Sequence, residues 1–125
     1  MAQSMNAAQL AYLGDAVFEL CAREMLIAQG LPAHKAHRCA KDIVSATAQA
    51  DMYHRIYPLL SPDEQTIMRR GRNLNTMNRT KSAETSDYRH ATGLEALFGY
   101  LHHNRENERL TEIFMLCTNE KEQNQ

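Results

Sequence analysis

The sequence predicts an all-α, single-domain helical bundle, and three observations predict it. Apolar residues recur at three- and four-residue steps through most of the chain, and helix-opening and helix-stopping residues punctuate those stretches. No alternating strand pattern, internal repeat or low-complexity tract interrupts them. With 125 residues, 43% of them hydrophobic, the chain is long enough for one core and short for two, so residues 1–125 read as one domain.

Residues 1–5 read as a loose end. Asn6 suits the position that opens a first long helix, which the apolar spacing carries to Gln29; Gly30 stops it and Pro32 blocks continuation. The core-facing stripe of this helix is expected at Leu10, Leu13, Val17 and Leu20. A second helix is expected over Ala33–Ala46 and a third over Thr47–Leu60, divided by the weak break Ser45-Ala46-Thr47. Ser61-Pro62-Asp63-Glu64 is a sharper signal, in which serine caps, proline suits the first helical position and glutamate reaches back. That fourth helix runs to Arg72. Asn73 to Ser86 is polar and without apolar periodicity, which predicts a loop, and loops of that length in small domains tend to carry function. A fifth helix follows from Asp87 to His103, capped by Ser86, with Leu94, Leu97, Phe98 and Leu101 inward. The sixth, Glu106–Glu120, turns Leu110, Ile113, Phe114 and Cys117 inward, and residues 121–125 form a frayed polar tail.

Composition excludes several classes. No run approaches the roughly 20 apolar residues that cross a bilayer, and no basic segment followed by an apolar core opens the chain, so the expected location is the cytoplasm. Cys21, Cys39 and Cys117 are odd in number and far apart, and read as buried free thiols. Met25, Met52 and Met115, with Tyr12, Tyr88 and Tyr100, read as packing residues. Histidines 34, 37, 54, 90, 102 and 103 have no companion at zinc-ligand spacing and read as surface residues. A net charge of -1 does not suggest a partner for nucleic acid, yet the charge is unevenly spread. Between Gln65 and Ala83 stand Arg69, Arg70, Arg72, Arg79 and Lys81 with no acid among them, a local field able to hold phosphates.

Two helices carry an oddity that plain core helices avoid. In Leu-Ala-Tyr-Leu-Gly-Asp-Ala-Val, Gly14 and Asp15 sit mid-helix; in Thr-Gly-Leu-Glu-Ala-Leu-Phe-Gly-Tyr-Leu, Glu95 lies between Gly93 and Gly99. Glycine within a helix costs about 1 kcal/mol relative to alanine and marks close approach of another backbone. A carboxylate at the border of a buried stripe is expensive until a cation or donor meets it. If these helices pack together, two like charges meet, and a hard divalent cation such as magnesium, taking few carboxylates and keeping several waters, resolves the conflict. Glu19, by contrast, reads as half of an ordinary surface pair with Arg23.

The stretch Leu10–Val17, together with Tyr88-Arg89-His90-Ala91-Thr92-Gly93-Leu94-Glu95-Ala96-Leu97-Phe98-Gly99-Tyr100-Leu101 and Arg70-Gly71-Arg72-Asn73, resembles the catalytic domain of the ribonuclease III family. The likeness is greatest to its small branch, the Mini-ribonuclease III proteins, which lack a double-stranded RNA-binding domain. It implies the ribonuclease III type of helical bundle and a magnesium-dependent endonuclease, with manganese as a substitute. It further implies a homodimer acting on double-stranded RNA in ribosomal RNA maturation, with precursor 23S RNA as substrate and a ribosomal protein or pre-ribosomal particle as a further partner. The larger family carries Glu-x-x-Glu-Phe-Leu-Gly-Asp and later Asp-x-x-Glu. Laid on this chain, those motifs place the metal-holding, catalytic carboxylates at Asp15 and Glu95, while the other acids fall on Ala8, Ala11 and Thr92.

With the metal at Asp15 and Glu95, RNA contacts are expected from the basic segment at about residues 69–86: Arg70, Arg72, Asn73, Arg79 and Lys81, helped by Asn75 and Asn78. Thr92, one turn before Glu95, and His90 are candidates for contact with water or phosphate. A second reading stays open at this point. The replacement of three acids also suits a non-catalytic helical module that binds structured RNA or a ribosomal particle.

Overall fold

The computed structural model describes residues 4–74 and 83–123, with the side chains of residues 83, 84 and 119–123 left out. Asn6 opens helix α1 (Ala7–Ala28) as expected: its side chain accepts from the Gln9 amide at 2.8 Å while the Gln9 side chain accepts from the Asn6 amide at 3.0 Å. Two otherwise orphaned donors are thereby satisfied. The helix ends at Gly30, whose φ of 92° suits glycine alone at little cost.

Helix α2 (Ala33–Val44) stops two residues before the expected Ala46, because Ser45 takes an extended backbone and its Oγ accepts from the Ala48 amide at 3.2 Å. The weak break is thus a true cap, and α3 (Ala46–Ile56) starts at once. It also ends early. Pro58 has no amide to give to the carbonyl four residues back, so the chain tightens into a 3-10 turn over Tyr57–Leu59. Helix α4 (Pro62–Arg72) has the reciprocal Ser61–Glu64 cap.

Helix α5 (Ala83–His103) begins four residues before Asp87, since nothing in Ala83 to Ser86 opposes a helix although none of it shows an apolar stripe. Ser86 lies inside the helix, and its carbonyl takes a bond from the His90 ring at 2.8 Å. The segment expected as a basic loop over 69–86 is therefore partly helical at both ends. Helix α6 (Asn107–Gln123) likewise runs into the expected frayed tail at 121–123, while residues 124 and 125 lie outside the described residues.

Helix α5 is the axis of the bundle. Ala91, Gly93, Leu94, Ala96, Leu97, Phe98, Gly99 and Leu101 are buried around its circumference, and α1, α3 and α4 pack against it. Contact with α1 is made backbone to backbone. A Cβ on Gly14 would stand 1.6 Å from the Glu95 carbonyl oxygen, and one on Gly99 would stand 2.0 Å from that of Leu10. The rings of Phe18, Phe98 and Phe114 meet edge to face, with centroids 5.0 Å, 5.5 Å and 6.2 Å apart, and tie α1, α5 and α6 together.

Five expectations about side chains are overturned. Leu20 is 55% exposed, and the α1 stripe runs instead through Leu10, Gly14, Phe18, Ala22 and Leu26, with Ala11 and Val17 beside it. The strict 3.5-residue repeat drifts off a straight helix, whereas steps of four follow the contact line with α5. Met115, Tyr12 and Tyr88 also face outward, Tyr12 at 87% exposure, and Cys39 is exposed on α2. The other two thiols are free and sheltered; burial pushes Cys21 up to about 11 and Cys117 up to about 12.

One tie was invisible in the sequence. Glu64 is buried on α4, and Arg109 of α6 grips it with two bonds, Nε to Oε2 at 2.8 Å and Nη2 to Oε1 at 2.7 Å. The Arg109 bonds hold the Glu64 carboxyl below its ordinary value of 4.5. A depressed carboxylate stabilises the fold above that value and loses its contribution as pH falls through the folded one. Arg109→Ala is expected to lower stability by about 3 kcal/mol at neutral pH, because it strands a buried charge. It should also flatten the acid limb of the stability curve, as read by urea melts from pH 3 to 7. An unchanged acid limb would show that this pair does not carry the effect.

Candidate active site

The close approach at Gly14 decides what stands next to what. Because α1 lies directly on the Glu95 carbonyl, Asp15, the next residue, arrives at the flank of α5 where the Glu95 side chain emerges. Asp15 is exposed and Glu95 is half-buried. The Glu95 carboxyl is pushed up to about 8, first by burial and then by the like charge of Asp15; a hydrogen bond from the Gln49 side chain pulls the other way. Neither arginine nor lysine is among the groups acting on it. The cation that these two carboxylates require is therefore not supplied by the described residues.

Among the described residues no cluster of three or more histidine, cysteine or acidic side chains occurs. A cation at this place would take two carboxylates from the protein and fill its remaining positions with water or substrate. That donor set fits magnesium or manganese, which are hard ions with oxygen ligands, and does not fit zinc, which prefers nitrogen and sulfur in a closed tetrahedron.

The remaining candidates fall in different places. Thr92 is half-buried one turn before Glu95, and its hydroxyl donates to the Tyr88 carbonyl at 2.9 Å. His90 is turned about 140° around α5 from Glu95. Its ring lies 4.7 Å from Tyr53 and 4.4 Å from His54, so the structure does not bring it to the carboxylates. Arg70 and Asn73 are exposed at the end of α4, and Arg72 donates to the Asn73 side chain at 3.0 Å. Arg69 is engaged within the protein, donating to the Tyr57 hydroxyl and to Thr66 Oγ1. Arg79 and Lys81, with Asn75 and Asn78, lie outside the described residues.

Sequence reasoning missed three features. Gln49, only 2% exposed, is a core residue that touches Glu95. A signal existed: Gln49 shares the three- and four-residue spacing of Met52, Tyr53 and Ile56, so it belongs to the buried face of α3. Lys35, Arg38 and Lys41 stand exposed on α2 and make no ion pair among the described residues. Finally, Ala8, Tyr12, Ala16 and Leu20 form an outward stripe on α1 at steps of four, beside Asp15.

A family model of the Ribonuclease III domain matches residues 8–106, a span that includes both carboxylates. The chain belongs to the ribonuclease III family. Within it, the chain is 43% identical to the Mini-ribonuclease 3 of Brevibacillus brevis over 109 residues, covering 86% of this chain and 81% of that one. It is 38% identical to the Mini-ribonuclease 3 of Enterococcus faecalis over 128 residues, covering 95% and 97%. The crystal structure of a protein from Fusobacterium nucleatum superposes with a TM-score of 0.83 at 27% identity, covering 98% and 96%. As a member of the ribonuclease III family the chain is an endoribonuclease, so the reading as a non-catalytic module gives way.

Proposed function

We propose that this ribonuclease III protein cuts double-stranded RNA with a magnesium ion held between Asp15 and Glu95. The observation that carries the reading is the pairing of two carboxylates from distant parts of the chain, with no cationic side chain among the described residues to relieve them. Magnesium bound there supplies Lewis-acid polarisation of a phosphate oxygen and a water of lowered pKa, and manganese serves in its place. The chain's own residues do the rest. Asp15 and Glu95 set the position of the ion, and Gly14 and Gly99 fix the spacing of their helices. Thr92, with its proton given to the Tyr88 carbonyl, presents oxygen lone pairs that can accept from an incoming water.

Phosphates of the duplex are held by Arg70, Arg72 and Asn73 at the end of α4, and by Arg79 and Lys81 beyond it. The exposed cations Lys35, Arg38 and Lys41 of α2 add to the field. A-form duplexes are gripped through phosphate and 2'-hydroxyl geometry, which such side chains suit. The outward stripe of Ala8, Tyr12, Ala16 and Leu20 supports a two-fold dimer, in which one carboxylate pair faces each strand. Precursor 23S ribosomal RNA is the proposed substrate, presented by a ribosomal protein or pre-ribosomal particle in the cytoplasm. No helix among the described residues is long and apolar enough to cross a membrane, which accords with that location.

The deciding experiment mixes the protein with a long RNA duplex and magnesium, and repeats it with chelator. Fragments that vanish with chelator and return with manganese support the reading; metal-independent fragments, or a gel shift without fragments, overturn it. The grip on phosphate has its own test. Replacing Arg79 and Lys81 by alanine is expected to weaken duplex binding and reduce the slope of log affinity against log salt by about 2. An unaltered slope would remove these residues from the contact.

A further inference from the structure

Two helices spell the same short pattern, Asp51-Met52-Tyr53-His54 on α3 and Asp87-Tyr88-Arg89-His90 on α5. An Asp-x-x-His step puts both side chains on one face of a helix. The fold turns these two faces toward each other: the His54 and His90 rings lie with centroids 4.4 Å apart and planes tilted by 44°, and along the same seam Thr47 Oγ1 donates to Asp87 Oδ2 at 3.4 Å. His90 is held in place. Its Nδ1 lies 2.8 Å from the Ser86 carbonyl oxygen, and the Tyr53 ring meets it edge to face at 4.7 Å. A carbonyl only accepts, so Nδ1 carries the proton and Nε2 keeps its lone pair.

An imidazole tied through one nitrogen to a backbone carbonyl, with the other nitrogen left as a lone pair, is oriented as metal-ligating histidines are. His54 supplies a second imidazole. It is exposed, so an ion reaches it from solvent and the ring can turn to meet it. Tetrahedral ligation at about 2.0–2.1 Å from each nitrogen separates two ring centres by roughly 5 Å, so the observed 4.4 Å asks only a small rotation of His54. We infer that His54 and His90 form a two-histidine site for a divalent transition metal of the zinc type, joining α3 to α5 on the flank of α5 turned away from Glu95. Ligand chemistry keeps the two sites apart, since imidazole nitrogen suits zinc, nickel and copper while paired carboxylates suit magnesium. Asp51 and Asp87, one turn before each histidine, place negative charge near the ion, but Asp51 already accepts from Arg55 Nε at 3.0 Å and Asp87 from Thr47. The protein therefore gives two ligands and water completes the shell, in keeping with the lack of any cluster of three ligating side chains among the described residues.

The test titrates zinc alone, by calorimetry, into the full chain carrying Glu95→Gln, which takes the carboxylate pair out of the competition, and into that chain with His54→Ala or His90→Ala added. His90 packs on Tyr53, so His90→Gln is the second variant in case alanine does not fold there. One zinc per chain is expected in the background protein, and each histidine replacement is expected to weaken it by at least about tenfold. A roughly hundredfold excess of magnesium should leave the zinc affinity unmoved, because magnesium prefers oxygen ligands. Zinc should also raise the melting temperature of the background protein and not that of the histidine variants, since only the folded pair gives the ion a binding advantage. Zinc held equally well by both histidine variants would place it on other side chains and overturn the assignment. A background protein that bound no zinc would do the same. Binding lost in His90→Ala but kept in His54→Ala would reduce the site to one histidine and overturn the pairing. Every arm reads zinc directly, so the result stands whether or not the chain cuts RNA at Asp15 and Glu95.

Discussion

Glu95→Gln is expected to abolish cleavage and, at the same time, to make the metal-free protein more stable at neutral pH. The two effects have one cause. In the fold Glu95 titrates at about 8 against an ordinary value of 4.5, because burial and the Asp15 charge both oppose its ionisation. A carboxyl raised in this way leaves the fold unpenalised below the ordinary value, and the fold loses stability as pH rises from there to the folded value. Each unit of difference corresponds to about 1.4 kcal/mol, which sets a ceiling; screening by the solvent that reaches Asp15 brings the expected gain for the glutamine variant to on the order of 2 kcal/mol. The expected pattern is a melting temperature above wild type at pH 8, and equal to it near pH 4. Magnesium or manganese should then stabilise the wild type and leave Glu95→Gln unmoved, since only the carboxylate pair gives the ion a binding advantage in the folded state. Cleavage should fall by roughly a thousandfold or more, or about 4 kcal/mol of transition-state stabilisation, and Asp15→Asn should share that loss. Duplex binding should survive in both. An active Glu95→Gln enzyme, or one that melts below wild type at pH 8, would show that this carboxylate does not hold the metal.

The second large effect is expected from a single methyl group. Gly14→Ala places a Cβ 1.6 Å from the Glu95 carbonyl oxygen and 2.7 Å from the Gly99 amide nitrogen, both of them backbone, so no rotamer change relieves the clash. Helix α1 must lift from α5. Overpacking of this severity costs about 3 kcal/mol or more, roughly a 10 °C fall in melting temperature for a domain of this size. Activity should fall further than stability explains, because Asp15 moves with Gly14 and a displacement of about 1 Å at a catalytic group costs on the order of a hundredfold. Gly30→Ala is the control. It meets the strain of a positive φ but no neighbour within 4 Å, and it should cost about 1 kcal/mol without touching cleavage. Equal losses of activity in the two variants, measured well below both melting points, would show that the contact of α1 with α5 does not position the site.

Much of this was legible in the residues. Caps and stops act over three or four positions, so Asn6, Gly30 and the Ser61–Glu64 box marked helix ends that the fold keeps. The glycines beside Asp15 and Glu95 announced a tight contact before its geometry was known. Errors arose where neighbours along the chain do not decide. Leu20 and Phe18 are equally apolar, and only the space between α5 and α6 selects the ring. Ser45 looked weak because its capping value depends on the chain turning there, which is a matter of how α2 and α3 pack.

By itself the sequence determined an all-helical chain, the capped helix ends at Asn6, Gly30 and Ser61, and two lone acids set in glycine-bearing apolar helices. These are consequences of backbone hydrogen bonding and side-chain periodicity, which reach no further than a turn or two. Only the tertiary structure decided that Asp15 stands against Glu95, that Gln49 reaches the same carboxylate, and that Arg109 closes on Glu64 from 45 residues away. Such pairings depend on how closely helices approach and at what angle, quantities set jointly by every side chain in the interface and by no local stretch of chain.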